Sequence, residues 1–145
     1  MQIEGIHHHS VVVSDLNRAR AFYREVLGLE EVPTPPTFNF AVAWFALGDG
    51  QQLHLLRADQ AEAPGARHIA LHTADTAAAR AQLRGLGHRV DETTPIPGAD
   101  RFFTSDPDGN RIELIHWSTG WSETVRRLGL SVGAPALRGS TGAGG

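Results

Sequence analysis

Two stretches decide how this chain reads: Ile6-His7-His8-His9-Ser10-Val11-Val12-Val13-Ser14-Asp15, and Arg67-His68-Ile69-Ala70-Leu71-His72-Thr73-Ala74-Asp75. In each, a His stands early in an apolar, strand-forming run, and an Asp follows it seven residues later. An Asp at that place can cap the next helix. A second correspondence lies downstream. Gly50 precedes His54 by four residues within Gln52-Leu53-His54-Leu55-Leu56, and Gly109 precedes Glu113 by four within Arg111-Ile112-Glu113-Leu114-Ile115. The offset is 60 residues for His8 and His68 and 59 for His54 and Glu113. One register serves both ends, so the chain reads as one unit used twice.

Working outward, residues 6–13 form a strand, and Asp15 opens a helix whose Leu16, Ala19, Phe22, Tyr23, Val26 and Leu27 recur at helical spacing until Gly28. Pro33, Pro35 and Pro36 mark a loop, 38–47 a long aromatic-rich strand, Gly48-Asp49-Gly50 a turn and 52–56 the return strand. The order then restarts. A strand spans 67–73, a helix 76–86 behind Asp75, a short strand 88–91, a loop 92–100 and a strand 102–105. The turn Asp106-Pro107-Asp108-Gly109 leads to the last strand, 111–116. The expected fold is α+β, with two tandem βαβββ modules (about 3–58 and 65–117) in one domain spanning 1–120. A short helix over 121–130 and a flexible tail rich in Gly, Ala, Ser and Pro over 131–145 follow.

Composition narrows the chemistry. The chain has 145 residues, a net charge of -3 and no basic block, so a nucleic-acid footprint is not expected. No apolar run reaches membrane-spanning length and the first residues lack a signal-peptide pattern, so a cytoplasmic protein without membrane contact is expected. There is no Cys, and all 13 basic residues are Arg. Thiolate nucleophiles, Cys-bound metals, Schiff-base lysines and phosphate loops of the Walker type are thereby excluded. Eight His remain, and histidine is both the commonest metal ligand and the usual general base.

Strand alternation then sorts side chains. Val11, Val13, Leu53 and Leu55 belong to the face that helices must cover, so His8, His54, His68 and Glu113 point the other way, with Ser10, Gln52, His72 and Arg111. Three imidazoles and one carboxylate suit one borderline divalent cation per site (Fe2+, Ni2+, Mn2+ or Zn2+) better than magnesium or calcium. His54 is either a fourth ligand or a general base, and His72 is an acid–base candidate. Ser10, Trp44, Phe102 and Arg111 are candidate contacts to a small-molecule substrate. Phe38, Phe40 and Phe103 are possible apolar walls, and Arg101 a second cation for an anionic substrate.

These residues resemble a known family. The opening run from Ile6 to Leu16, with Ala21-Phe22-Tyr23 and Val26-Leu27-Gly28-Leu29, is similar to the start of the vicinal oxygen chelate (VOC) superfamily. The run from Asp106 to Leu114 is similar to its close. The superfamily holds glyoxalase I, methylmalonyl-CoA epimerase, extradiol dioxygenases, fosfomycin-resistance enzymes and bleomycin-resistance proteins. The resemblance implies a cupped mixed sheet of the glyoxalase/bleomycin resistance/dihydroxybiphenyl dioxygenase fold, with metal ligands at His8, His68 and Glu113. It also implies a homodimer whose sites combine His8 and His54 of one chain with His68 and Glu113 of the other. The expected activity is that of a metal-dependent lyase, isomerase or dioxygenase acting on a small oxygenated metabolite through two adjacent oxygens. The competing expectation, from another class, is a drug- or natural-product-binding resistance protein without catalysis.

Overall fold

The structure is a computed structural model that describes residues 1–63 and 65–132. The tail expected over 131–145 lies outside the described residues from 133 onward. The first module contains β1 (His8–Val13), α1 (Leu16–Ala21) continued by a wide π-type turn over Phe22–Val26, β2 (Glu30–Val32), β3 (Val42–Ala46) and β4 (Gln52–Arg57). The second contains β5 (His68–His72), α2 (Thr76–Gly85), β6 (Asp91–Glu92), β7 (Ala99–Ser105) and β8 (Arg111–Trp117), and α3 (Trp121–Leu128) follows. Each module forms a four-stranded sheet, in the orders β1-β4-β3-β2 and β5-β8-β7-β6, so the expected α+β fold with two βαβββ units is present. The first strand of each unit runs parallel to the last, and the other pairs are antiparallel.

Local chemistry explains these elements. Asp15 and Asp75 sit in extended backbone, and each carboxylate accepts from the amide three residues on, Arg18 and Ala78, closing the first helical turn. The π-type turn lets the adjacent Phe22 and Tyr23 both face inward, where they are 3% and 0% exposed. Several boundaries differ from expectation, and the strand expected over 102–105 begins at Ala99, inside the loop expected over 92–100. The strand expected over 38–47 is confined to Val42–Ala46, and a short strand, Glu30–Val32, pairs with Trp44 to Ala46 instead. Pro33 lacks an amide hydrogen and stops that pairing just after Val32, and on the β4 side the ladder continues past Val42 through the Arg57 amide to the Ala41 carbonyl. The strand expected over 88–91 is shifted to Asp91–Glu92.

One core joins both modules. Val11, Val13, Phe45, Leu53 and Leu55 pack with Phe22 and Tyr23, and the cluster continues through Ile69, Leu83, Phe102, Ile112 and Leu114. A polar seam fixes the modules against each other. The buried Asp106 accepts the Tyr23 hydroxyl at 2.9 Å, and also the Asp108 and Asn110 amides at 2.9 Å each. Asp108 in turn accepts from the Ser14 amide and the Arg18 guanidinium, while the Asn110 side chain donates to the Val12 carbonyl. Further along, α3 seats against Gly98, where an added Cβ would meet Thr124 Oγ1 at 2.7 Å. Only glycine fits that approach, and its φ of 83° is also one that glycine adopts without strain.

Because Tyr23 is fully buried, Tyr23→Phe leaves the Asp106 carboxylate one donor short with no water to replace it. We expect a loss of about 1–3 kcal/mol in urea unfolding, with an unchanged slope against denaturant.

Candidate metal and substrate site

The parallel register places Ser10 beside His54, and the hairpin register places Trp44 opposite His54. All lie on the face away from the helices, where His54 is sandwiched. The Trp44 ring stacks on it at 4.1 Å with planes 1° apart, and the His8 ring stacks on the other side at 4.1 Å. Its Nε2 donates to Gln52 Oε1 at 2.8 Å, which leaves Nδ1 as the free lone pair. Burial holds the His54 pKa below the ordinary histidine value, with His8 and His7 adding to the effect. The ring is therefore neutral at pH 7. Phe38 stands edge-on to Trp44, and Phe40 stacks on Phe38 at 4.8 Å, so an aromatic column runs from the open loop to His8.

The second module repeats the plan with charges. In the hairpin register Phe103 faces Glu113, as Trp44 faces His54. Glu113 is buried, with one oxygen accepting from Arg101 at 3.0 Å and the other 3.0 Å from His68 Nε2. His68 Nδ1 lies 2.9 Å from the Ala66 carbonyl, which can only accept, so Nδ1 carries the proton. In a neutral ring this leaves the Nε2 lone pair facing a carboxylate oxygen. A direct hydrogen bond here needs a proton on Nε2; without it, Nε2 and the carboxylate oxygen are two neighbouring lone-pair donors that could share a cation set to one side of them. The fixed tautomer and the donor set, three imidazole nitrogens and one carboxylate, fit a borderline divalent ion.

The four expected ligands thus stand in two pairs, His8 with His54 and His68 with Glu113. His8 and His68 open onto one cleft of about 300 Å³ between β1 and β5, together with Gln52 and Ala70. Even so, among the described residues no three His, Asp or Glu groups lie close enough to hold one ion.

Other expected site residues fall in several places. Ser10 and Arg111 line one small cavity with His68. Phe102 is corrected: it is fully buried on the core face under Arg80, and Phe103 takes the position beside Glu113. The cause is strand alternation, since neighbours on a strand face opposite ways. Arg101 is committed to Glu113 and to the Thr94 carbonyl. His72 shares the His68 face but stands at the far end of β5, in a separate cleft of about 420 Å³ with Glu30, Asp49 and Gln51. No ring contact or hydrogen bond joins it to His54; its ring neighbour is His116, at 6.2 Å. The Arg101 lock on Glu113 and the Gln52 contact to His54 were not foreseen. Both follow from face parity, since Arg101 shares a face with Phe103 and Gln52 with His54.

Two βαβββ modules, each a four-stranded sheet with paired ionisable side chains on its open face, define a recognisable class of fold. A sequence profile of the Glyoxalase/Bleomycin resistance protein/Dioxygenase superfamily matches residues 5–114. The chain belongs to that superfamily. It is 32% identical over 122 residues to a lactoylglutathione lyase of Salmonella typhimurium, covering 74% of this chain and 89% of that one. Among solved structures it is similar to a glyoxalase family protein of Bacillus anthracis (TM-score 0.74, 31% identity, 81% of this chain and 98% of that one). It is also similar to TnmS3, an antibiotic-binding protein of a Streptomyces species (TM-score 0.66, 29% identity, 81% and 99%).

The depressed pKa values have a stability consequence. His54 and His9 both titrate below 6.5 in the fold, His9 through burial and then Arg67 and His8. As pH falls below 6.5 the unfolded chain binds protons that the folded chain refuses, so stability drops on acidification. Thermal unfolding of metal-free protein should show its Tm falling from pH 7.5 to pH 5.5, with a flatter profile for His9→Asn/His54→Gln.

Proposed function

We propose that this protein is a divalent-metal-dependent enzyme of the glyoxalase/dioxygenase type, acting on a small oxygenated metabolite. Its sites are completed between two chains, His8 and His54 of one joining His68 and Glu113 of a second copy. The observation that carries this reading is the His68–Glu113 pair, with its tautomer fixed by Ala66 and two neighbouring lone-pair donors.

A borderline ion bound there supplies Lewis-acid polarisation of two adjacent substrate oxygens, or dioxygen activation if it is iron. The chain's own residues do the rest. His54, neutral and clamped between Trp44 and His8, offers Nδ1 as a ligand or as a proton acceptor. Arg101 holds the Glu113 carboxylate in one orientation. Trp44 and Phe103 wall the two halves and exclude water. The Salmonella relative's lyase name favours lyase or isomerase chemistry over oxygenation. None of the described helices is long and apolar enough to cross a membrane, in keeping with the cytoplasmic setting we include in this proposal. A second reading, capture of a natural product without catalysis, draws on the exposed Phe38–Phe40 stack and on the likeness to TnmS3.

Purified without chelator, the protein is expected to carry iron, nickel, manganese or zinc by inductively coupled plasma mass spectrometry, with the element found narrowing the reaction class. His68→Ala/Glu113→Ala should lose it. Wild-type protein that stays metal-free after reconstitution would sink the enzymatic reading in favour of capture. Sharing is tested by mixing two empty variants, His8→Ala/His54→Ala and His68→Ala/Glu113→Ala, through unfolding and refolding. Random pairing should restore about a quarter of the wild-type metal content, since about half the dimers then hold one intact site of two. A site within one chain restores none.

A further inference from the structure

Beside the His68–Glu113 pair lies a cavity of about 100 Å³, lined by Ser10, Arg67, His68, Asn110, Arg111 and Glu62 among others. Its charges do not cancel. Arg67 is paired with Glu62. Arg111 forms no ion pair or hydrogen bond among the described residues, although it stands next to His68 in the parallel register. Its guanidinium carbon sits 3.6 Å above the centre of the Phe103 ring, at cation–π distance. A guanidinium held on a ring face keeps its N–H fork free around its rim, the geometry that recognises oxoanions in bidentate fashion. The nearby acidic group cannot take that role. Glu113 already accepts from Arg101 through one oxygen, and its other oxygen is turned to His68 Nε2 rather than to Arg111. Phe103 is thereby central: its other contacts are the His68 ring, edge-on at 5.1 Å, and Arg101 at 5.8 Å.

We propose that this cavity is an oxoanion subsite, and that the substrate carries a carboxylate or phosphoryl group next to its chelating oxygens. Arg111 supplies the fork, and Ser10 and Asn110 supply neutral polar groups at the wall. The volume admits one such group and little more. This deepens the metal-site reading, because the subsite adjoins His68, yet its residues all come from one chain and need no metal to bind an anion.

The test uses the whole protein, stripped of metal with a chelator and dialysed. Inorganic phosphate and acetate are titrated separately, reading the Arg side-chain Nε–H resonances by NMR and the heat of binding by calorimetry. Saturable binding that weakens with ionic strength is expected, with a shift of the Arg111 resonance. Arg111→Gln should weaken it at least tenfold, Ser10→Ala by a smaller factor, and the exposed Arg127→Gln not at all. A preference for phosphate identifies a phosphoryl substrate, and a preference for acetate identifies a carboxylic acid. Absence of saturable binding, or equal binding by Arg111→Gln with a folded spectrum, overturns the subsite. Metal uptake by the same protein is measured in parallel. Metal bound without anion affinity defeats the subsite alone, and anion affinity without metal uptake defeats the enzymatic reading alone.

Discussion

Everything at this site depends on the two-residue period of a strand that is covered on one face only. β1 and β4 must give Val11, Val13, Leu53 and Leu55 to the core, and β5 and β8 must give Ile69, Ile112 and Leu114. Burying these groups is worth roughly 1.5–3 kcal/mol each for a large aliphatic side chain. A slip of one residue in either ladder would exchange the apolar set for His54 or Glu113, and no such slip survives that cost. The donors are therefore placed by the residues between them. His54 lies between Leu53 and Leu55, and Glu113 between Ile112 and Leu114.

The two modules are then held to each other by a seam that uses the same turn as the donors. Asp106 closes the β7–β8 turn by accepting from the Asp108 and Asn110 amides, and it reaches Tyr23 of the first module. Because that turn also sets the register in which Phe103 faces Glu113, module docking and donor placement share one constraint. The aspartate is buried but not isolated, and its hydrogen bonds compensate the cost of keeping it from water.

Much of this was legible in the sequence. The caps Asp15 and Asp75, the repeat offset and the alternation in Gln52–Leu56 and Arg111–Ile115 are local signals, and local signals survive without tertiary knowledge. The shared open face of His8, His54, His68 and Glu113 followed from them. Phe102 was misplaced for want of a step that the sequence does contain. Counting across the turn from Asp106 to Gly109 pairs Ser105 with Arg111 and hence Phe103 with Glu113, and the repeat alone relates Trp44 to Phe103 by the same offset of 59 as His54 to Glu113. By contrast, the short β2 strand was not legible. Its end at Pro33 is a local signal, but its existence rests on a long-range pairing with Trp44 to Ala46 that only the folded sheet reveals. Nor was the separation of His72 from His54, since parity names a face and says nothing of position along it.

The two half-sites are related by the repeat but differ in charge, and this difference explains their unlike surroundings. His54 is neutral, so stacking between Trp44 and His8 can bury it with one hydrogen bond to Gln52. Glu113 is an acid, and an aromatic sandwich would leave its charge uncompensated at a cost no stacking recovers. The second module accordingly replaces stacking by charge. Arg101 and His68 take the two oxygens, and Phe103, where the first module has Trp44, is turned to serving cations through its ring face. Once Glu113 is satisfied, Arg111 is left without an acidic partner among the described residues. The imbalance between the modules, rather than any single side chain, is what distinguishes the open face of one sheet from that of the other.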